Sequence, residues 1–181
     1  MLAMLVPNVP SQQAGEVATS ADMNTYSAAA AFLLAPPLVI VQQSSTSSVG
    51  TGATAVPWHV TIRDNDGMYS SGANTRLTVV TPGFWEVRYC LNIGVGGGHL
   101  STYLQVTTGS GNPQGAGSSF EWGNGQATEA GTNDMSVCVA TDLPTFMYAG
   151  DYVTLYALVG SATSTTNNSA YSHMSAKLVS V

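Results

Sequence analysis

Residues 84–93 read FWEVRYCLNI, and their alternation of apolar and polar side chains decides the fold. Successive side chains of a β-strand point to opposite faces, so one face of this segment would be apolar and the other polar. The apolar face carries Trp85, Val87, Tyr89, Leu91 and Ile93, and the other face carries Glu86, Arg88 and Cys90. The segment is therefore predicted to be a strand with one side in a hydrophobic core.

The same two-residue period extends on both sides of this segment, from Leu38 almost to the last residue. It predicts strands at 38–43, 56–63, 76–81, 84–93, 100–107, 118–122, 135–142, 151–159 and 171–180. The connecting segments are rich in Gly, Ser, Thr and Asn, as loops between short strands usually are. Residues 38–181 are therefore predicted to form one all-β domain, a sandwich or a barrel.

Residues 1–37 differ from the rest and are predicted to form an N-terminal anchor with one short helix. Thr19 and Asp22 have the spacing of a capping box, and the helix should end near Leu34 because a proline disfavours helical backbone before it. A helix this short is marginal alone, so we expect it to dock on another surface. The apolar side chains that recur near helical spacing include Met23, Tyr26 and Leu33.

The composition excludes several classes of partner. Charged residues make up 8% of the chain, against roughly 25% in ordinary soluble domains, so the surface is polar but neutral. Four Lys and Arg residues against ten acids argue against nucleic acid and against anionic membrane surfaces. The longest apolar stretch, residues 28–41, is too short to span a bilayer and contains Pro36 and Pro37, so no membrane insertion is expected.

The sequence predicts no metal site and no cofactor. Cys90 and Cys138 lack the spacing of a zinc or redox motif; a disulfide between them stays open, although two buried thiols are the commoner outcome. Residues 64–67 (DNDG) resemble the start of an EF-hand loop, but no Glu follows near position twelve. A turn in which Asp64 and Asp66 bond local backbone is favoured, and weak calcium binding stays open.

Phe120, Glu121 and Trp122 are the sequence's candidate for a sugar-facing ligand patch, because aromatic faces suit carbohydrate stacking. A strand with two core aromatics is the favoured alternative. Glu121 alone does not make a glycosidase, which needs two carboxyl groups, and no Gly-x-Ser-x-Gly motif is present. We therefore expect no catalytic residues and no enzymatic activity.

Residues 151–159 are apolar or aromatic on both predicted faces, which is more than a single sandwich needs. Tyr152, Tyr156 and Leu158 are therefore candidates for a subunit interface. A central strand that is covered by its own loops is an equally good explanation.

Three segments together resemble a known family. They are residues 74–87, which contain NTRLT and TPGFWEV, residues 150–155 (GDYVTL), and the closing residues 171–178 (YSHMSAKL). In this order they look like signatures of the jelly rolls of tumour necrosis factor and of complement globular heads. The resemblance covers about residues 38–181, and it implies an antiparallel jelly-roll β-sandwich.

The front of the chain narrows the resemblance. Residues 14–24 (AGEVATSADMN) and 64–68 (DNDGM) are similar to segments of small tail-region and head-fibre proteins of actinobacterial phages. That resemblance implies a homotrimeric, non-enzymatic virion protein, made in the bacterial cytoplasm and assembled on the particle exterior. Residues 1–37 would then bind tail or capsid proteins.

Two alternatives to a minor tail protein stay open. One is a capsid decoration or head-fibre protein, which would use the same fold and anchor. The other is a host-attachment head that binds a surface glycan, with loops 64–75, 108–117 and 123–134 as the contact surface. Neither the placement on the particle nor the identity of a receptor follows from the sequence.

Overall fold

The N-terminal helix begins and ends where the sequence predicts. In the computed structural model, which describes residues 19–94, 98–128, 134–165 and 172–180, helix α1 spans Ser20–Leu34. The Thr19 hydroxyl accepts a hydrogen bond from the Asp22 amide at 3.2 Å, and Asp22 Oδ2 accepts one from the Thr19 amide at 2.8 Å. The predicted capping box is thus confirmed. Hydrogen bonds from the side chain and backbone of Thr19 hold the pKa of Asp22 below its ordinary value.

All nine predicted strands are present, and four short ones were missed. The strands are β1 (Leu38–Gln42), β2 (Ser48–Val49), β3 (Thr54–Ala55), β4 (Val60–Asp64), β5 (Arg76–Thr78), β6 (Gly83–Ile93), β7 (His99–Thr107), β8 (Ser119–Thr128), β9 (Met135–Ala140), β10 (Thr145–Met147), β11 (Tyr152–Val159), β12 (Thr163–Ser164) and β13 (His173–Ser180). The missed strands are β2, β3, β10 and β12, whose two or three residues are too few to show a period. Strand β8 runs six residues further than predicted, β4 begins at Val60 instead of residue 56, and β5 ends at Thr78 instead of residue 81.

Two antiparallel sheets form a jelly-roll sandwich. The larger sheet has the order β10-β6-β13-β1-β4, with β9 also paired to β6, and the smaller sheet has the order β3-β11-β7-β8, with β5 also paired to β11. Strands β2 and β12 pair separately. Because β1 and β13 are neighbours inside the larger sheet, the two ends of the domain are fixed to each other.

The inner faces of the two sheets form one hydrophobic core. The residues of β6 that were assigned to the apolar face are all buried, which confirms the predicted alternation. They face Leu100 and Leu104 of β7 and Leu155 of β11 within a single cluster that also contains Trp58. The period-two pattern thus identified the inner face of the central strands correctly.

The expectation that the two cysteines are separate buried thiols is wrong. Cys90 of β6 and Cys138 of β9 are directly opposite in the register of the two strands and form a disulfide. Both lie on the outer face of the larger sheet, and Cys138 is exposed. The alternation of β6 places Cys90 on this face, but the pairing with β9 depends on a contact between distant segments.

Candidate functional site

Helix α1 presents most of its large apolar side chains to solvent. Leu33 is 79% exposed, Met23 and Leu34 are also exposed, and Tyr26 is half-buried. Phe32 is the helical residue that packs against the core. Three large apolar side chains of the predicted anchor therefore lie uncovered in a single copy of the chain.

The junction between the helix and the sandwich is held by a polar turn after β4. The side chain of Asn65 accepts a hydrogen bond from the Leu38 amide at 2.6 Å and donates one to the Pro36 carbonyl at 3.0 Å. Asp64 accepts hydrogen bonds from the amides of Gly67, at 2.6 Å, and of Tyr69, at 2.9 Å. This turn therefore fixes the chain where it leaves the anchor.

The predicted turn is confirmed for Asp64, which bonds local backbone, whereas Asp66 bonds Thr81, a distant residue. Besides the bonds to Asp64, the carboxylate of Asp66 is buried and accepts hydrogen bonds from the Thr81 amide at 3.1 Å and hydroxyl at 2.8 Å. Both carboxylates thus serve as acceptors for protein donors. Within the four described ranges, no group of three or more His, Cys, Asp or Glu side chains is placed to hold a metal ion.

Tyr152 and Tyr156 lie on the outer face of the smaller sheet, a surface that we call the tyrosine face and that also includes Tyr103 and Leu158. The rings of Tyr103 and Tyr156 are stacked, with centroids 5.2 Å apart, and the Arg76 guanidinium lies 4.5 Å above the ring of Tyr152. All four residues of the face are half-buried. Tyr103 and Tyr156 therefore cover each other in part, and Arg76 covers part of Tyr152.

The environment of Tyr103 changes its acidity. Desolvation by burial raises the pKa of Tyr103 above its ordinary value, and the neighbouring Tyr156 and Glu121 raise it further. Ionisation of the Tyr103 phenol is therefore disfavoured.

The structure does not bring Phe120, Glu121 and Trp122 together on one surface. Trp122 is 8% exposed, and its indole donates a hydrogen bond to the Leu143 carbonyl at 3.2 Å. Glu121 lies on the opposite face of β8, beside Tyr103, because strand neighbours point in opposite directions. Trp122 is thus a core aromatic, whereas Phe120 is 45% exposed.

Phe120 instead lines a groove with two aromatics that the sequence did not indicate. We call it the aromatic groove; it has a volume of about 330 Å³. Its lining includes Phe120, Phe146, Tyr148, Asn112, Gln114 and Asp151. The sequence does not indicate strand β10, which carries Phe146, because its three residues are too few to show a period.

The floor of the groove is built by a buried carboxylate. Asp151 accepts hydrogen bonds from the amides of Gly109, at 2.7 Å, and Tyr148, at 2.8 Å, and from the side-chain amide of Asn112, at 3.0 Å. A side chain at Gly109 would collide with the Gly150 carbonyl, so glycine is required for this close approach. The loop between β7 and β8 is therefore fastened to the turn before β11.

The three loops that were predicted to share a contact surface do not all lie together. Residues 123–128 belong to strand β8, and Thr128 pairs with His99 at the far end of β7. Loop 108–117 instead joins β7 to β8 at the other end of these strands, where Thr107 pairs with Ser119. A strand of ten residues is about 30 Å long, so the two regions are at opposite ends of the sandwich. Residues 129–133 lie outside the described residues.

In the described part of the chain, no helix is both long enough and apolar enough to cross a membrane.

Comparison with solved structures identifies the fold. Murine APRIL superposes with a TM-score of 0.63 at 9% identity, covering 79% of this chain and 98% of APRIL. The globular domain of a zebrafish complement 1qA protein gives 0.57 at 14% identity, covering 79% and 97%. The TNF Eiger from S. frugiperda gives 0.57 at 13% identity, covering 80% and 94%.

These similarities show a jelly-roll β-sandwich of the kind found in tumour necrosis factor and complement globular heads. No protein-family model and no curated protein matches the sequence. At 9–14% identity the structural likeness establishes the fold, and the function has to be argued from the surfaces of this chain.

Proposed function

We propose that this chain is a non-enzymatic structural protein of a bacteriophage particle, with a minor tail protein as the leading role. In this proposal it is a homotrimer on the outside of the virion, and residues 1–37 bind a tail or capsid protein. The observation that carries the proposal is the exposed helix α1, whose Leu33 is 79% exposed in a single copy. Burial of such side chains needs a partner surface.

The arrangement of one anchor on each copy suits permanent attachment. Three anchors on one trimer act multivalently, because the second and third contacts form at a high effective concentration. The capping box at Thr19 and the polar turn around Asn65 fix both ends of the helix. A short helix that is held in this way loses little conformational entropy on binding.

The tyrosine face is the surface that we propose for contact between copies. Interface centres are rich in Tyr, and this face carries Tyr152 and the stacked pair of Tyr103 and Tyr156. The outer face of the larger sheet carries Glu86 and Arg88, paired at 2.6 Å, and the charged Lys177. The tyrosine face also carries charged side chains, Arg76 and Glu121, so the preference for the smaller sheet rests on its tyrosines.

The oligomeric state tests this part of the proposal. Light scattering on the full chain should give three times the 18.7-kDa mass of one copy. Tyr156→Lys should dissociate the trimer because it buries an unpaired charge, whereas Ile62→Lys, on edge strand β4 of the other sheet, should not. A monomeric wild type would contradict the proposed trimer. Dissociation by Ile62→Lys but not by Tyr156→Lys would contradict the proposal that the copies meet through the tyrosine face.

The location on the particle needs a separate test. Mass spectrometry of purified virions of the phage that encodes the chain should detect it, and gold-labelled antibody should place it on the tail. Label on the capsid would instead support the decoration or head-fibre alternative. Absence of the chain from purified particles would overturn the virion role.

A host-attachment head is the second candidate. The specific observation in its favour is the aromatic groove, which is open to solvent and walled by loop 108–117, one of the loops predicted to contact a receptor. Deletion of residues 110–116 should reduce adsorption of the phage to its host. Unchanged adsorption with an intact trimer would overturn this candidate and leave the structural role standing.

A further inference from the structure

The aromatic groove lies where the edges of the two sheets meet. Phe146 is on β10, the terminal strand of the larger sheet, and Phe120 is on β8, the terminal strand of the smaller one. They are 39% and 45% exposed. Two large aromatic side chains from different sheets therefore share one opening to solvent.

The aromatic wall of the groove is held in place by edge-to-face packing. Phe146 is directly opposite Phe84 of β6 in the strand register, with ring centroids 5.2 Å apart and planes at 80°. On its other side, Tyr148 packs at 4.9 Å with planes at 70°. Phe146 is thus oriented by two neighbours without being covered by them, so binding would cost little side-chain entropy.

The polar groups at the rim of the groove are neutral. The carboxylate at its floor already accepts hydrogen bonds from protein donors. None of the residues that line the groove is a Lys or an Arg, so an anionic ligand finds no counter-charge there. The Asp151 carboxylate already accepts hydrogen bonds from the groups that lock the loop, so it offers a cation little. The exposed Gln114 side chain and the Tyr148 hydroxyl make no hydrogen bond to other described residues.

The size of the groove distinguishes a small ligand from a protein partner. A volume of about 330 Å³ falls at the lower end of the range of small-molecule sites, roughly 300–1,000 Å³. Stable protein contacts bury about 1,200 Å² or more of rather flat surface. A concave site with aromatic walls and neutral hydrogen-bonding groups therefore fits a ligand that is apolar on one face and rich in hydroxyls at its edge.

We infer that the aromatic groove binds a neutral saccharide. The saccharide lies with C–H faces on both Phe146 and Phe120, and its hydroxyl groups bond to Gln114 and Tyr148. This inference deepens the host-attachment candidate, because it names the site and the class of ligand. It is independent of the trimer, since a single copy of the chain supplies every residue of the groove.

Saturation-transfer NMR on the full-length protein tests the inference. The neutral probes are cellotetraose, maltotetraose and chitotetraose, and sialyllactose is the anionic comparison. At least one neutral probe should bind with a dissociation constant of about 1 mM or better. Phe146→Ala and Phe120→Ala should each weaken binding about tenfold, because each removes an aromatic face.

Leu143→Ala is the matched control, because Leu143 is 75% exposed, lies just before β10 and does not line the groove. It should bind the probe as the wild type does. Gln114→Ala separates a loss of binding from a loss of folding, because Gln114 lies in an exposed loop. This variant should weaken sugar binding without changing the thermal midpoint of unfolding.

Three outcomes would overturn the inference. They are no binding of any neutral probe by folded protein, binding as tight as that of the wild type by both phenylalanine variants, and sialyllactose binding as tight as that of the neutral probes. If the protein binds no sugar, and Phe146→Ala or Phe120→Ala lowers its oligomeric mass, the aromatic groove is a contact between copies. If deletion of residues 110–116 abolishes adsorption but no sugar binds, host attachment stands and the saccharide is refuted.

Discussion

Loss of the disulfide between Cys90 and Cys138 should destabilise the fold by about 4 kcal/mol. The bond joins β6 to β9 and spans 48 positions of the sequence. A cross-link restricts the unfolded chain, and closure of a loop of that length corresponds to about 4 kcal/mol in the chain-entropy model. In a domain of this size such a change lowers Tm by about 8–16 °C.

Thermal unfolding followed by circular dichroism measures this change. The wild type is compared with and without reductant, at one protein concentration, because the Tm of an oligomer depends on concentration. Reductant can reach the bond in the folded state, since Cys138 is exposed. The Cys90→Ser/Cys138→Ser double variant should have the Tm of the reduced wild type, and reductant should not change it.

Two results together would refute the reasoning. One is an equal Tm for the oxidised wild type and the double variant. The other is alkylation of two thiols per chain when the wild type is unfolded without reductant. A smaller shift with both cysteines bonded would instead show that the unfolded chain is already compact between β6 and β9.

Three further predictions concern the core, the turn and the helix. Leu155→Ala, at a fully buried position, should cost about 2–5 kcal/mol in urea unfolding, whereas a loss below 1 kcal/mol would mean that the two inner faces are not packed there. Asp64→Ala should cost about 1–3 kcal/mol because it removes the acceptor of several backbone amides; an unchanged midpoint would contradict its role in the turn. The pKa of Asp22 is lowered in the folded state, so its stabilisation of the helix is present above the ordinary Asp pKa and should be lost as pH falls through the lowered value. An NMR titration of Asp22 measures this pKa, which should return toward the ordinary Asp value in Thr19→Ala. An unchanged pKa in that variant would contradict the role of Thr19 as the helix cap.

The groove shows why part of the site was out of reach of sequence reasoning. Phe120 was selected because of its neighbours in the chain, Glu121 and Trp122, yet strand geometry turns those two residues to opposite faces. Its real neighbours are Phe146, which belongs to a strand of three residues with no detectable period, and Tyr148, which follows that strand. Local composition indicated an aromatic site, but it did not indicate which aromatics form it.

Features that depend on residues close together in the chain could be predicted from the sequence. The capping pattern at Thr19 and the proline pair after Leu34 set the bounds of the helix, and the two-residue alternation assigned the inner face of β6. The polar turn at Asp64 was also visible, because its hydrogen bonds are local. Such features need no knowledge of the rest of the fold.

The contacts between distant segments could not be predicted from the sequence and are known from the fold. The fold joins Cys90 to Cys138, stacks Tyr103 on Tyr156, and places Phe120 and Phe146 in one groove. The physical reason is that backbone hydrogen bonds between strands are nearly independent of sequence, so alternation fixes the face of a side chain but not its partner. Strand order and register are settled by the packing of the whole core.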